Sequence, residues 1–329
     1  MFKSLAFLLT NVALALAAAR TSAPAGALVV GGSGKYKTVQ SAVDALSKTS
    51  TSAQSIFINA GTYKEQVYIQ KLKGPLTIYG STSNTDSYSS NQVTITQGKS
   101  QSDGLNNDQT ATLRAWTENL KVYNINLVNT RGSGSQALAL SASANNQGYY
   151  ACQFLGFQDT ILAQTGNQLY AKSLIQGATD FIFGQHATAW FSACDIRVLK
   201  ATQGYVTASG RASASDPNWY VLDKCNIAAA SGNSVPAGAY YLGRPWSQYA
   251  RVTVQNTAMT NVIKAAGWSV WNTGDTRTSN VQFQEYGNTG AGASGTRASF
   301  SKKASAPVAI TQILGSGYAS AAYVDKAYL

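Results

Sequence analysis

Short apolar or alternating runs recur along the chain between clusters of glycine, asparagine, serine and aspartate. Examples are SIFINAG, VYIQ, LTIYG, VTIT, KVYNINLV and RVTVQN. Their length and alternation are typical of β-strands, and no long helix separates them. Only residues 38–46 differ, because Val39, Ala42, Val43 and Leu46 lie at helical spacing. The pattern predicts an all-β chain with one short helix near its start, folded as a sandwich, a barrel or a solenoid.

A recurring spacing in the middle of the chain favours the solenoid. The repeating pairs are Cys152 with Phe154, Ser173 with Ile175, Cys194 with Ile196, and Cys225 with Ile227. Successive pairs are 21, 21 and 31 residues apart, and an inserted loop at 210–218 would explain the longer step. A coil of about 21 residues with three short strands predicts a right-handed parallel β-helix. We expect the helix near residue 40 to cap one end and the segment after residue 300 to cap the other.

The N-terminus has the pattern of a secretory signal peptide. Lys3 precedes an apolar run from Leu5 to Leu16, and small residues follow at 17–19. We therefore expect cleavage near 17–19, a signal peptide within residues 1–19, and one β-helix domain over residues 20–329. No later stretch reaches the roughly 20 apolar residues of a membrane helix. The expected product is a soluble, secreted, extracellular protein.

Composition and charge narrow the class of partner. Only 12% of the residues are charged, and 25 Lys and Arg stand against 14 Asp and Glu. Such a surface favours a polyanion, although a high net charge can also serve only to keep an exported protein soluble. Secretion and the absence of a clustered basic run argue against nucleic acid. An acidic polysaccharide fits both the charge and the location.

Cysteine and histidine limit the metal and redox chemistry. The three cysteines leave at least one unpaired, and the period places only Cys194 and Cys225 on successive coils. Either these two form a disulfide, or all three cysteines are buried thiols in one inward column. His186 is the only histidine, which excludes a zinc site with several imidazoles. No metal or cofactor is expected, and His186 is interpreted either as structural or as a residue that supports the site without touching the substrate.

The same period brings polar residues together. Gln136 and Gln158 are 22 residues apart, and Asp159 and Asp180 are 21 apart, so stacked coils would place two amides and two carboxylates on one patch. Neighbouring carboxylates in a groove should separate in pKa, leaving one as an acid and the other as a base or nucleophile. Taken singly, an aspartate in such a position is more often a turn cap than a catalytic residue. Asp180 precedes bulky apolar residues and would need a cation, for which Arg244 is the candidate.

Five segments give the chain a family resemblance. They are GTYKE at 61–65, GSQALAL at 134–140, GFQDT at 156–160, GATDFIFG at 177–184 and LGRPW at 242–246. In this order they resemble the signature segments of pectin methylesterases, and the likeness runs from about residue 35 to 290. GQHATAWF, after the fourth segment, is similar to the fungal members.

The resemblance implies a secreted hydrolase that removes C6 methyl esters from homogalacturonan, giving pectate and methanol. Asp180 would be the nucleophile, Asp159 the general acid and base, and Arg244 the residue that orients Asp180. Gln136 and Gln158 would bind the oxyanion.

Three aromatic residues are expected in substrate binding. Trp246 would stack on the sugar, and Phe183 and Trp271 would line the groove, although packing alone could also explain the latter two, as it could Trp190 and Trp268. The resemblance implies no metal, nucleic acid or membrane partner. We expect a monomer that acts on methylated pectin in cell-wall breakdown, with a positive groove that favours already demethylated neighbours.

Two other functions remain open at this point. A pectate lyase would share the fold and the polyanionic substrate but would need clustered carboxylates for Ca²⁺, and the 14 acidic residues are dispersed. A non-catalytic pectin-binding β-helix would keep the groove but tolerate the loss of either aspartate.

Overall fold

The computed structural model describes residues 18–329, so the predicted signal sequence lies almost entirely outside the described residues. The strands in chain order are β1 Leu28–Val30, β2 Gln54–Ile58, β3 Gly61–Lys64, β4 Val67–Ile69, β5 Leu76–Gly80, β6 Val93–Gln97, β7 Leu113–Ala115, β8 Leu120–Tyr123, β9 Asn126–Asn129, β10 Leu140–Ala142, β11 Gln147–Tyr150, β12 Gln153–Leu155, β13 Ile161–Ala163, β14 Thr165–Ala171, β15 Leu174–Gly177, β16 Ile182–Gly184, β17 His186–Ser192, β18 Asp195–Val198, β19 Gly204–Ser209, β20 Trp219–Asp223, β21 Asn226–Ala229, β22 Tyr240–Pro245, β23 Arg251–Gln255, β24 Ala258–Met259, β25 Gln282–Tyr286 and β26 Ser301–Lys303. The α-helices are α1 Val39–Asp44, α2 Asn107–Thr110 and α3 Ile310–Leu314. Short 3₁₀ turns cover Tyr88–Ser90, Gln101–Asp103, Ala291–Ala293, Tyr318–Ser320 and Lys326–Tyr328.

The strands form three sheets in which every named pairing is parallel, and the predicted β-helix is confirmed. The eleven-stranded sheet has the order β1-β2-β5-β8-β11-β14-β17-β20-β23-β25-β26. The eight-stranded sheet runs β3-β6-β9-β12-β15-β18-β21-β24, and the seven-stranded sheet runs β4-β7-β10-β13-β16-β19-β22. A typical coil therefore gives one strand to each sheet in turn.

The observed register confirms the predicted period. Phe154 pairs with Ile175, Ile175 with Ile196, and Ile196 with Ile227, in one buried column. The step from Cys194 to Cys225 has ten residues more than the 21-residue steps, and these fall in two places. Four lie between Val198 and Thr207, which are nine positions apart, whereas the paired residues of the preceding coil, Gly177 and Ile182, are five apart. The other six lie in the predicted loop 210–218.

Coil corners are marked by single residues with left-handed backbone. Between the eleven- and eight-stranded sheets, one residue in each of six successive coils has φ between 47° and 55°: Asn124, Ala151, Lys172, Ala193, Lys224 and Asn256. A second corner, between the eight- and seven-stranded sheets, contains Asp159 and Asp180 at φ 64° and 51°. Asparagine and aspartate tolerate this conformation better than other non-glycine residues, which suits them to the corner.

The interior of the coil is apolar, and its first turn is covered as predicted. Tyr149, Tyr170 and Phe191 stack in sequence with ring centroids 5.0 and 4.6 Å apart. At the N-terminal end, the Thr38 hydroxyl accepts a hydrogen bond from the Ser41 amide and caps α1. This helix buries Val39, Ala42 and Val43 against the core.

Of the chain after residue 300, only β26 lies at the far end, as the last strand of the eleven-stranded sheet. The C-terminal segment, residues 306–329, does not cap that end, so the expectation is wrong for this segment. It lies along the outer face of the eleven-stranded sheet, where its apolar residues meet an aromatic patch that includes Tyr123 and Tyr150. The Tyr150 hydroxyl donates to the Tyr323 carbonyl at 2.6 Å, and the Tyr328 hydroxyl donates to the Thr85 carbonyl at 2.9 Å. Exposed aromatic surface on the side of the coil, rather than strand edges at its end, determines where the segment packs.

All three cysteines are buried free thiols. The alternative of a Cys194–Cys225 disulfide is not what the structure shows. The two thiols donate instead to the carbonyls of Tyr170 and Phe191, each at 3.5 Å. Burial raises the pKa of Cys152 to about 12, so this thiol is unreactive at neutral pH.

Residues 18–329 lack both a membrane-spanning helix and a cluster of metal-binding side chains. None of their helices has the length and apolar character needed to cross a membrane. They also contain no group of three or more His, Cys, Asp or Glu side chains that could hold a metal ion.

Candidate active site

Asp159 and Asp180 occupy equivalent corners on adjacent coils, just before β13 and β16. The Asp159 amide donates to the Thr179 carbonyl at 3.0 Å, and Gln158 and Thr179 form a parallel bridge. The 21-residue step therefore places the two aspartates one above the other, as the spacing predicts. Both are nearly buried, with 7% and 6% of their surface exposed.

A cavity of 320 Å³ opens at these corners. All eight residues predicted for the site line it: Gln136, Gln158, Asp159, Asp180, Phe183, Arg244, Trp246 and Trp271. They come from five different coils, and the sheet register alone brings the two aspartates and the two glutamines together. The remaining lining residues are Gln101, Asn107 and Ala208.

Arg244 is the cation that Asp180 requires. Its Nε donates to Asp180 Oδ1 at 2.9 Å and its terminal nitrogen Nη2 donates to Oδ2 at 2.7 Å, a two-point ion pair. The guanidinium lies between two aromatic rings, 4.1 Å from the centroid of Tyr205 and 4.2 Å from that of Trp271. Its Nη1 donates to the Trp271 carbonyl at 3.2 Å. Arg244 is thereby held in the plane that binds both carboxylate oxygens.

The two carboxyl groups have different electrostatic environments. Burial, and then the charge of Asp180, raise the pKa of Asp159 well above its ordinary value, while Arg244 acts weakly in the opposite direction. Burial also raises the pKa of Asp180, and the hydrogen bonds and the charge of Arg244 offset only part of that rise. Within residues 18–329 no group donates a hydrogen bond to the Asp159 carboxyl, whereas Asp180 accepts two. Asp180 is therefore the group that ionises first, and Asp159 is the group that keeps its proton.

Gln136 and Gln158 are fixed through their backbones. The Gln136 carbonyl accepts from the Gln101 amide at 3.0 Å, and the Gln158 carbonyl accepts from the Ala137 amide at 3.1 Å. No other described residue engages either side-chain amide by a hydrogen bond. Both amides face the cavity and can donate to a ligand there.

The aromatic residues separate into two groups. Trp246 lines the cavity and packs against Phe183, with ring centroids 6.0 Å apart, and Trp271 packs on Arg244. Phe183 is itself buried, so it both packs and lines the cavity. Trp190 and Trp268 are buried elsewhere, the former under the C-terminal segment and the latter stacked on Phe283 at 4.3 Å. Packing alone accounts for these two.

His186 lies outside the cavity lining. Its Nδ1 is 2.6 Å from an oxygen of Asp216, in the inserted loop 210–218, and its side chain is half exposed. This contact attaches the inserted loop to the start of β17. The structural interpretation of His186 agrees with this position.

Four residues at the site were not predicted: Gln101, Asn107, Tyr205 and Ala208. Gln101 and Asn107 belong to the segment between β6 and β7, whose 3₁₀ turn and short helix α2 do not follow the coil period. Asn106 and Gln109 form a capping box, which predicts a helix start but not its location beside the aspartates. Tyr205 lies in β19 and pairs with Tyr241 of β22, but the four extra residues between Val198 and Thr207 shift it out of the 21-residue step, so the period does not predict its register.

Comparison with known proteins identifies the family. A family model described as Pectinesterase matches residues 27–319. The chain belongs to the pectinesterase family. It is 54% identical to a pectinesterase of Aspergillus niger, with both chains covered in full, and 55% identical to one of Aspergillus aculeatus, over 95% of this chain and 96% of the relative.

Solved structures of pectinesterases agree with this assignment. The crystal structure of a deglycosylated pectin methylesterase from Aspergillus niger matches with a TM-score of 0.88 at 42% identity, over 94% of this chain and all of the other. The carrot pectin methylesterase matches with a TM-score of 0.82 at 31% identity, over 92% and 98%. The resemblance to fungal pectin methylesterases is confirmed, and the pectinesterase is a carboxylic ester hydrolase. Membership of the family decides against both the lyase and the binding module.

The groove of this pectinesterase comprises three adjoining cavities, and it is not strongly positive. A 700 Å³ cavity and a 560 Å³ cavity adjoin the one that contains Asp159 and Asp180, and all three share Trp246 as a lining residue. The cations along these three linings are Arg244 and Arg277, each paired with an aspartate. The expected positive groove is therefore not found among the described residues.

Proposed function

We propose that Asp180 and Asp159 hydrolyse the C6 methyl esters of pectin by covalent catalysis. The Asp180 carboxylate attacks the ester carbonyl carbon, and the tetrahedral intermediate collapses as Asp159 protonates the departing methanol. This leaves an anhydride between Asp180 and the galacturonosyl carboxyl. Asp159, now ionised, takes a proton from water, and the hydroxide releases the product acid and the Asp180 carboxylate.

The asymmetric position of Arg244 is the observation that supports this division of roles. It binds both oxygens of Asp180 and neither oxygen of Asp159. The ionised, oriented carboxylate is suited to nucleophilic attack, and the buried carboxyl without a cationic partner is suited to proton donation. If the roles were reversed, Asp159 would have to attack the ester, although its carboxyl is the one that keeps its proton.

Gln136 and Gln158 are proposed to bind the oxyanion. Their side-chain amides are unengaged and line the same cavity as the two aspartates, and their backbones are fixed by neighbouring coils. A donor that is held in place before reaction stabilises developing charge at little reorganisation cost, and one such donor contributes about 3 kcal/mol. Trp246 is proposed to stack on the sugar ring, with Phe183 and Trp271 completing the wall.

The chain is further proposed to work outside the cell as a monomer, on methylated homogalacturonan. The support for secretion is the N-terminal pattern of Lys3 and the apolar run at 5–16, which is typical of a cleaved signal peptide. The domain would then begin near residue 20 and continue to 329. Arg20 pairs with Thr82 through both backbone groups, so the described fold includes residues from this point onward.

One experiment tests the reaction and the processing together. Protein collected from the medium of an expressing host is sequenced from its N-terminus, and it is then incubated with highly methylated pectin in the presence of EDTA. We expect an N-terminus near residues 18–20 and methanol release without the absorbance of unsaturated uronides. Unsaturated product that disappears with the chelator would instead show a lyase, and binding without either product would show a non-catalytic module.

Replacing Arg244 by lysine is expected to reduce activity most at acidic pH. Lysine keeps the positive charge but loses the two-point contact, so the pKa of Asp180 rises and less nucleophile is ionised at low pH. The loss of one charge-assisted hydrogen bond predicts about a tenfold lower kcat/KM on the acidic side, with recovery as the pH rises. The measurement is the pH profile of methanol release.

Arg197→Lys is the matched control for that variant. Arg197 pairs with Asp195 at 2.6 Å on the eight-stranded sheet, away from the three groove cavities. Its substitution should leave the pH profile unchanged. An Arg244→Lys profile that is lowered equally at every pH would contradict the role of Arg244 in ionising Asp180.

A further inference from the structure

Trp116 is an exposed tryptophan in a molecule that buries almost all its large apolar side chains. It follows β7 directly and is 44% exposed. Among the described residues, only Leu329 is an equally exposed large apolar side chain. Trp116 also lines a cavity, and an exposed indole in such a place is a candidate contact for a ligand.

The ring is held in place rather than free to move. Its Nε1 donates to Asp108 Oδ1 at 2.8 Å, and the indole and the Tyr68 ring are perpendicular, at 89°, with centroids 6.4 Å apart. Arg114 donates twice to Asp108 Oδ2, at 2.6 and 2.9 Å. Its guanidinium carbon lies over the Tyr68 ring, 4.2 Å from the ring centroid. Ser141 donates to Asp108 Oδ1 at 2.7 Å. The orientation of the indole is thus fixed by groups on three neighbouring segments.

The position of Trp116 connects it to the catalytic cavity. It lines the 560 Å³ cavity, which shares Gln101, Asn107 and Trp246 with the cavity that contains the two aspartates. In the seven-stranded sheet β7 is two strands from β13, which Asp159 precedes. This places Trp116 roughly 10 Å along the coil axis from the reacting centre, at the usual strand spacing. A chain lying in the groove would pass over it.

The lining of this part of the groove is electrically neutral. Its one charged residue is Asp108, and both oxygens of that carboxylate are used by Arg114, Trp116 and Ser141. The other polar groups are amides and hydroxyls, such as Gln164, Gln185 and Ser143. Such a surface can bind sugar hydroxyls and methyl esters, but it offers no cation to a free uronate carboxylate.

We propose that Trp116 is a second sugar-stacking surface, which binds methyl-esterified galacturonosyl units of the pectin chain at a distance from the ester that reacts. This inference rests on the proposed function, because it takes the occupant of the groove to be pectin. The ring face of Trp116 packs on the sugar, while Asp108 and Arg114 keep that face directed into the groove. The surface adds affinity for long esterified chains and takes no part in the chemical step.

The test compares Trp116→Ala with the wild-type protein on fully methyl-esterified galacturonosyl substrates of increasing length, from a disaccharide to the polymer. On the polymer we expect KM to rise about three- to tenfold with kcat unchanged, since an aromatic contact of this kind contributes about 1 kcal/mol. On the disaccharide, which cannot reach both sites, the two proteins should be alike. Trp116→Phe keeps a ring and should recover part of the affinity.

The control is Leu329→Ala, which removes an equally exposed apolar side chain in the C-terminal tail and should leave KM unchanged. Equal KM values for wild type and Trp116→Ala on the polymer would overturn the proposal. So would a rise that is the same on the disaccharide, or the same on sparsely methylated pectin. If the wild-type protein itself releases no methanol, the proposed function fails first, which separates the two conclusions.

Discussion

Replacing Asp180 by asparagine is expected to lower kcat/KM for methanol release by about 10⁴-fold or more, because loss of a covalent nucleophile is rarely compensated. Asparagine keeps the size of the side chain and tolerates the left-handed backbone at φ 51°, so the corner itself is preserved. The Arg244 ion pair is lost, and the free energy of unfolding should fall by about 1–3 kcal/mol. Alanine at this position would add backbone strain to the chemical loss.

Asp223→Asn is the matched control for Asp180→Asn. Asp223 has the same 6% exposure, accepts hydrogen bonds from Gln255 and Asn256, and lies on the eleven-stranded sheet, away from the groove. It should retain activity despite the loss of a buried charge. Methanol release is measured alongside circular dichroism of each variant, and near wild-type turnover in folded Asp180→Asn would end the assignment of the nucleophile.

Asp159→Asn is expected to lower kcat by about 10²- to 10⁴-fold, the usual contribution of a general acid and base. The same substitution should stabilise the fold at neutral pH. Because the pKa of Asp159 is raised well above its ordinary value, ionising this carboxyl costs more in the folded protein than in the unfolded chain. Asparagine is neutral at every pH and avoids that cost.

The pH dependence of stability tells in which direction Asp159→Asn changes the melting temperature. A raised carboxyl pKa favours the folded state most below the unfolded pKa, and that advantage is lost as the pH rises through the folded pKa. The melting temperature of Asp159→Asn should therefore exceed that of the wild type at neutral pH, and the difference should shrink on acidification. Asp180→Asn should instead lower the melting temperature at neutral pH, because it leaves the Arg244 guanidinium without its carboxylate partner. A lower melting temperature for Asp159→Asn at neutral pH would contradict the proposed protonated state.

The sequence predicted those parts of the site that follow the coil period. Asp159 and Asp180 recur at the 21-residue step, and hydrophobic columns such as Phe154 and Ile175 fix the register that stacks them. Arg244 is distant in sequence, and it was predicted only because a buried carboxylate needs a cation and because LGRPW resembles a family segment. A periodic pattern is readable in sequence because each coil repeats the same physical environment.

Tyr205, Gln101 and Asn107 could not be predicted on the same basis. Gln101 and Asn107 lie in a segment that interrupts the period, and their positions depend on loop packing. Tyr205 lies in β19 and pairs with Tyr241, but the four extra residues before Thr207 hide this register in the sequence. The same reason explains why the C-terminal segment was expected at the end of the coil. Its apolar residues indicated burial, but which surface they would cover depended on aromatic side chains of Tyr123 and Tyr150 that only the folded outer face brings together.

The C-terminal segment has a consequence for how the molecule unfolds. Gln255 in β23 donates to the Val308 carbonyl, and from there the segment runs back over the sheet until Tyr328 reaches Thr85, 243 residues away in sequence. Coils that contact only their neighbours would otherwise fray independently from each end. The C-terminal segment couples early and late coils into one cooperative unit. Removal of residues 306–329 should therefore speed amide hydrogen exchange in β8 and β11, which this segment covers. Exchange that is unchanged by the removal would contradict the coupling.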